Sequence, residues 1–350
     1  MRNTSIAFIL LTATLFADEI RTPEETWPKL KNDNSYNLFV SGDFIDWRYS
    51  SPNLAYGRDG VGITNGSPHE IPVTRSGTSF YPDFDYDPGF KVGLGIKFGP
   101  QKAFDIVGSY TWLHSEPEGH AENFSASFMP INYLTSNTTA SNIYSFASLG
   151  LNLHFNWIEL QSGYTFTPNK YLSLRPYFSL QAIVLRGDLQ ARYEFTTSVL
   201  AGGVPEGTFE VSKTYGHCSS WSIGPRMGLD FIVHATKNLG IYSNVGWTQQ
   251  ATSLHMSTKE IQEQPANGSH FVIQKGELNT NHNVGIFNLE LGPTWDQWFA
   301  CEKYRLQLRA TWFVGTLPTG ANLSFLNNNN TDIVVGSEFR GYNIRATFEF

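Results

Sequence analysis

Residues 342–350 read Tyr342-Asn343-Ile344-Arg345-Ala346-Thr347-Phe348-Glu349-Phe350. Apolar or aromatic side chains occupy 342, 344, 346, 348 and 350, and polar ones occupy the four positions between. Side chains of a strand point alternately to its two faces, so this is a strand with one apolar and one polar face.

Working back along the chain, the same period recurs. Tyr304, Leu306, Leu308, Ala310 and Trp312 alternate with Arg305, Gln307, Arg309 and Thr311. Phe90, Val92, Leu94, Ile96 and Phe98 alternate with Lys91, two glycines and Lys97. After Gly99-Pro100-Gln101-Lys102 comes Phe104-x-Ile106-x-Gly108-x-Tyr110-x-Trp112, so the two runs make a hairpin. Further runs start at Leu172, Trp221, Leu239 and Phe287, and a first strand covers about 37–47, between Tyr36 and Trp47. At 146–166 the phase changes: Ala147 to Trp157 share one parity, while Ile158, Leu160 and Tyr164 share the other. Two strands with almost no turn, or one strand carrying a β-bulge, each explain the switch, and the bulge makes the connections regular.

Short links then fall at 99–102, 167–170, 234–238 and 299–303. Long ones fall at about 48–87, 114–144, 187–218, 250–283 and 316–340. The count is ten strands, or twelve if a loop such as that holding Thr208–Thr214 joins the wall. Strict alternation of short and long links, with both chain ends on the short side, is the pattern of a transmembrane antiparallel β-barrel. The expected fold is therefore all-β, with short periplasmic turns and long extracellular loops.

The chain's ends carry the same expectation. Arg2, the apolar run Ile6–Phe16 and Ala17 before Asp18-Glu19 read as a signal peptide over residues 1–17. That run is shorter than the roughly 20 residues a spanning helix needs. Residues 18–35 read as a periplasmic tail and 36–350 as one barrel domain. Tyr342, Ile344, Ala346, Phe348 and Phe350 resemble the closing-strand signal read by barrel-assembly machinery. Outer-membrane lipid and that machinery are the expected partners, and the bacterial outer membrane is the expected location.

Composition agrees. The chain of 350 residues is 15% aromatic, yet its mean hydropathy is only −0.26. Alternating strands with aromatic girdles produce that combination. A net charge of −7 leaves no broad electrostatic footprint for nucleic acid. The two cysteines, Cys218 and Cys301, lack metal-type spacing, and no cofactor motif is present.

Ordered segments from residue 41 onward, among them Ser41-Gly42-Asp43-Phe44-Ile45-Asp46-Trp47, Pro88-Gly89-Phe90-Lys91-Val92-Gly93-Leu94, Ser109-Tyr110-Thr111-Trp112-Leu113-His114-Ser115 and Ile223-Gly224-Pro225-Arg226-Met227-Gly228-Leu229, carry a resemblance. The chain resembles the pore-forming major outer membrane protein family known from Legionella and environmental chlamydiae. Asp46 departs from the aromatic residue usual there. The resemblance implies a porin-like channel for small hydrophilic solutes or ions, supplies no catalytic residues, and implies intermolecular disulfides through Cys218 or Cys301. A homo-oligomer and a non-conducting structural or adhesin-type surface barrel remain open alternatives.

The polar face assigns the lining: Asp43, Lys91, Lys97, Asp105, Arg175, Arg226, Asp230, Arg305, Arg309 and Arg345, with Glu159, Glu290 and Glu349 on the same side. The signs nearly balance, which argues against strong ion selectivity. Two readings follow: a charged pore wall, or groups that pair with one another in a plugged interior. Gly93, Gly95, Gly224 and Gly228 would thin the wall. His114-Ser115-Glu116 with Glu118 and His120, and His217 beside Cys218, are residue types that hydrolytic chemistry could use at a loop mouth. Solvated polar surface is the simpler account, and no enzymatic activity is expected. A band ~25 Å tall separates the two cysteines, beyond the ~7 Å a disulfide tolerates.

Overall fold

The computed structural model describes residues 35–51, 54–59, 78–122, 129–130, 142–197, 209–264, 269–316 and 337–350. The proposed signal peptide and all of the proposed tail except Ser35 lie outside them. Ten wall strands follow in chain order: β1 (Tyr36–Ser50), β2 (Tyr86–Phe98), β3 (Phe104–Ser115), β4 (Asn142–Tyr164), β5 (Leu172–Thr197), β6 (Phe209–His234), β7 (Leu239–Gln264), β8 (Ser269–Phe299), β9 (Tyr304–Thr316) and β10 (Glu338–Glu349).

Each strand pairs antiparallel with its sequence neighbours, and β10 returns to β1 in continuous register, Asp43 opposite Arg345 and Phe44 opposite Ile344. The sheet therefore closes into a barrel with no free edge. Two short pieces extend the wall without adding to it. Phe166–Asn169 continues β4 into its turn against the start of β5, and Glu118–Glu122 continues β3 along β4. Thr208 lies outside the described residues. Residues 209–214 are the first rungs of β6 rather than a separate strand.

The outward face carries the apolar stripes expected of it. Phe44, Leu94, Leu160, Phe178, Met227 and Ile344 are all exposed, Phe178 at 58% and Ile344 at 57%. Such exposure is costly in water and suits a hydrocarbon surrounding. Aromatic rings mark both edges of the band. At the short-turn edge Phe98, Phe104 and Tyr164 follow one another, with Tyr304 stacked on Phe348 at 5.9 Å. At the other edge Phe90 stacks on Trp112, and Trp312 meets Tyr342 edge-on at 4.7 Å.

Two expectations are corrected. No bulge sits at residues 157–158: β4 keeps one register with β5 from Gly163 to Phe146, and the shift comes only at Glu194/Phe195. The phase change is instead an inversion of the hydrophobic face. Below the outer girdle Ile158 and Leu160 point out to lipid while Glu159 and Gln161 point in. Above it Leu149, Leu151, Leu153, Phe155 and Trp157 point in and are buried. Strand β5 inverts in the same place, from outward Phe178 and Leu180 to inward Ile183, Leu185 and Leu189. Once a strand leaves the bilayer its outer face meets water, so the apolar residues turn inward.

The second correction concerns loop length. Strands β5, β6 and β7 each have 26 residues and β8 has 31. Crossing the hydrocarbon takes only about 9–11. The predicted links at 187–218 and 250–283 are therefore mostly protruding strand, and only 198–208 and 265–268 lie between strands. The first strand likewise continues past Trp47, whose side chain faces inward at 3% exposure.

Candidate functional site

Two layers fill the barrel. The layer nearer the short turns is built from charges. Arg175 on β5 donates from Nε and Nη2 to Asp105 on β3 at 2.7 and 2.5 Å, and from Nη1 to Asp230 on β6 at 2.6 Å. Arg226 on β6 donates from Nη1 to both carboxylate oxygens of Glu159, at 2.9 and 3.1 Å, and Ser179 Oγ donates to the same carboxylate at 2.7 Å. Arg345 forks onto Asp43 at 2.7 and 2.6 Å. Lys97 Nζ donates to Glu349 Oε2 at 2.6 Å, and Arg305 holds Asp296 at 2.7 Å with Glu349 3.6 Å away. Paired arginine–carboxylate forks satisfy charges that could not sit isolated inside a barrel.

These groups surround a cavity of about 250 Å³ reaching toward the short-turn end, where Lys97 is 26% exposed. Its lining includes nine of the ten residues assigned to the lumen: Lys91, Lys97, Asp105, Arg175, Arg226, Asp230, Arg305, Arg309 and Arg345. The tenth, Asp43, is buried behind Arg345. Glu159, Glu290 and Glu349 join them. Asp296, Asn37 and Asn244 escaped the sequence reading. Asp296 lies past the last clear alternation, while Asn37 and Asn244 are uncharged.

Inward glycines do not widen this space. A Cβ at Gly228 would meet the Tyr177 ring, and one at Gly246 would lie 2.6 Å from the Arg226 guanidinium. Gly93 and Gly95 make the same room for Ser41 and Phe39, and at Gly224 the neighbouring backbone at Gln249 fills it. The glycines admit large side chains rather than thinning the wall.

The second layer lies toward the protruding strands and is apolar. Ile45, Trp47, Tyr49, Leu113, Phe155, Leu185, Cys218, Leu254, Met256, Phe313 and Phe339 form one buried cluster, joined by Leu54, Tyr56 and Phe84 from the segments between β1 and β2. Trp47 stacks on Phe313 at 4.3 Å, and its Nε1–H donates to Asn343 Oδ1 at 2.6 Å. Phe155 on β4 meets Phe339 on β10 at 4.9 Å, a contact that crosses the lumen. Tyr193 Oη donates to the Tyr56 carbonyl at 2.8 Å and ties the connecting segment into the mouth.

A family profile described as Legionella pneumophila major outer membrane protein precursor matches residues 53–316. The chain belongs to this major outer membrane protein family. It is a protein of the bacterial outer membrane. The match spans the wall from the segments after β1 through β9 and omits the two strands that close the barrel. No curated protein matches the chain. Among solved structures it is similar to the outer membrane protease OmpT from Escherichia coli, at 11% identity over 93% of this chain and 99% of that one, TM-score 0.41. A major outer membrane protein from Thermus thermophilus shares 9% identity over 91% and 100%, TM-score 0.27. The P. putida toluene transporter TodX shares 6% over 91% and 90%, TM-score 0.27.

Of the residues considered for other chemistry, His114 and Glu116 come together, whereas Ser115, and Cys218 relative to His217, lie on the opposite face. His114 and Ser115 point to opposite faces, Ser115 being buried. His114 Nε2 contacts Asn152 Oδ1 at 3.1 Å and Glu116 at 3.3 Å, and its ring stacks on His154 at 4.3 Å. His120 lies on the short strand Glu118–Glu122, paired with Ser148, with Glu118 opposite Gly150. His217 faces out to Asp188 at 2.6 Å while Cys218 faces the apolar layer, so the imidazole cannot activate the neighbouring thiol. Both cysteines are free, Cys218 buried and Cys301 exposed in the turn before β9. All five closing-strand residues, Tyr342, Ile344, Ala346, Phe348 and Phe350, are exposed on the outer face.

Proposed function

We propose that this outer-membrane barrel serves a structural or surface role and does not conduct solutes in the conformation described. The observation that carries the reading is the apolar layer, in which Phe155 and Phe339 touch across the lumen at 4.9 Å. A hydrated solute crossing there would have to displace packed aromatic side chains and leave its water behind. Ten strands also enclose little more than the eight whose interior side chains can fill.

The porin-like reading is second. The charged cavity below the apolar layer favours it, since a hydrophilic solute arriving from the short-turn side would find ionic partners there. Passage would then require the segments carrying Leu54, Tyr56 and Phe84 to leave the mouth. Liposome swelling separates the two readings. The purified barrel in vesicles should leave the uptake rate of a pentose at that of empty vesicles; uptake that rises with protein content overturns the first reading in favour of the second.

The outward residues Tyr342, Ile344, Ala346, Phe348 and Phe350 are the surface that assembly machinery and outer-membrane lipid would engage. Cys301 is the thiol open to intermolecular linkage; Cys218, enclosed by the apolar layer, offers none to another copy.

A further inference from the structure

Most cations of the charged layer hold a carboxylate; among the described residues Lys91 and Arg309 do not, and Arg309 carries a buried donor without an acceptor. Arg175, Arg226, Arg305 and Arg345 each hold at least one carboxylate. Arg309 also lines the cavity, but no carboxylate lies within ion-pair distance of it among the described residues. Its register neighbour on β10 is a like charge, Arg345, whose carboxylate partner is Asp43 on the far side. Its neighbour on β8 is Thr294. The guanidinium lies 4.0 Å from the centre of the Tyr242 ring, and its Nε–H is buried with no acceptor. Thr294 Oγ1, in a residue only 2% exposed, likewise lacks a partner. A donor and a hydroxyl left unsatisfied side by side are uncommon in a packed interior, because each costs free energy to desolvate.

We propose that the cavity is a binding site for a small oxyanion, a phosphate or carboxylate group, held by Arg309 with Arg305 and Arg345 flanking it. A planar guanidinium presents paired donors that match such oxygens, and the low-dielectric wall strengthens the contact. The volume of about 250 Å³ far exceeds the ~10–15 Å³ that holds one water on the same measure. Two carboxylates face this region: Asp230, held by Arg175 and by the Tyr242 hydroxyl, and Glu290. Glu290 sits opposite Phe313 while Arg309 sits opposite Thr294, four residues farther along β8, or roughly 13 Å along a strand. The site holds whether or not the barrel conducts.

Isothermal titration of the refolded barrel in uncharged detergent micelles, with inorganic phosphate at constant ionic strength, tests this without any phospholipid present. Saturable one-to-one binding is expected, weakened about tenfold or more in Arg309→Gln, as loss of a charge-assisted contact implies. Acetate competing for the same site identifies carboxylates as ligands too; acetate failing to compete narrows the site to phosphate and still supports it. Glu290→Gln should bind phosphate at least as tightly as the parent. Absence of saturable binding, or equal affinity in Arg309→Gln, overturns the proposal. Should Arg309→Gln fail to fold, Arg309→Lys keeps the charge but loses the fork, and unchanged affinity in that variant overturns it equally.

Discussion

Phe155 and Phe339 meet ring to ring at 4.9 Å although β1, β2 and β3 lie between their strands in the wall. The contact is therefore made through the lumen. Trp47, Phe313 and Tyr49 extend it, the Tyr49 ring lying 5.5 Å from Phe339. The outer half of this barrel is a packed apolar interior of the kind a soluble β-protein has, set on a charged layer within the membrane band.

Phe155→Ala should lower stability by about 3–5 kcal/mol, the range for deleting a buried aromatic side chain. Urea unfolding of the vesicle-inserted protein measures it. A double-mutant cycle with Phe339→Ala should show positive coupling of about 0.5–1.5 kcal/mol for the ring pair. Additive losses would mean that the two rings do not support one another.

The Arg226–Glu159 pair, with side chains 6% and 5% exposed, predicts an asymmetric mutant set. Glu159→Gln or Arg226→Gln alone should cost about 3–5 kcal/mol, because each leaves a buried charge unmatched. The double variant should recover much of that loss. Singles within about 1 kcal/mol of the parent would show that water reaches the pair freely.

Gly228→Ala places a methyl group against the Tyr177 ring and 2.6 Å from the Val245 carbonyl. Tyr177 accepts a hydrogen bond from Asn244 at 3.0 Å and lies under the Arg226 guanidinium, so the displaced ring disturbs both. A loss of about 1–3 kcal/mol is expected from such overpacking. The heat-modifiable shift of the folded barrel on gels should move to lower temperature; an unchanged shift contradicts the close packing.

Cys218 and Tyr49 lie in the apolar layer beyond the outer girdle, and burial pushes both acids up to about 12, with Asp188 adding to the effect on Cys218. In the unfolded chain they ionise near 9 and 10. Between those values and 12 the unfolded state has given up protons the folded state keeps, so stability falls as pH rises through that window. The urea midpoint should drop from pH 8 to pH 10.5, and less steeply in Cys218→Ser. At pH 8 a thiol reagent should label Cys301 alone in the folded protein and both cysteines after denaturation. Fast labelling of Cys218 in the folded state would contradict its enclosure.

Much of this architecture was legible in the alternation itself. Residues 304–312 and 342–350 divide each strand into an apolar and a polar face, and the strict alternation of short and long links indicated that the apolar one, with Leu308 and Ile344, meets lipid. The inversion at Trp157/Ile158 was also visible, but a bulge and a change of solvent produce the same one-dimensional pattern. Only the unbroken β4–β5 register separates them. Protruding rungs such as 187–197 were read as loop because polar outward residues there resemble linker composition. Pairing partners depend on contacts across the lumen, as Arg175 with Asp105 or Phe155 with Phe339, and no local spacing encodes them.

Single-channel recording of the purified barrel in a planar bilayer tests the closed lumen most directly. Insertion should be verified by protease protection of the vesicle-borne protein. At ±100 mV in concentrated potassium chloride a closed lumen gives a flat baseline with no discrete steps. Uniform conductance steps whose number grows with the protein added would contradict it.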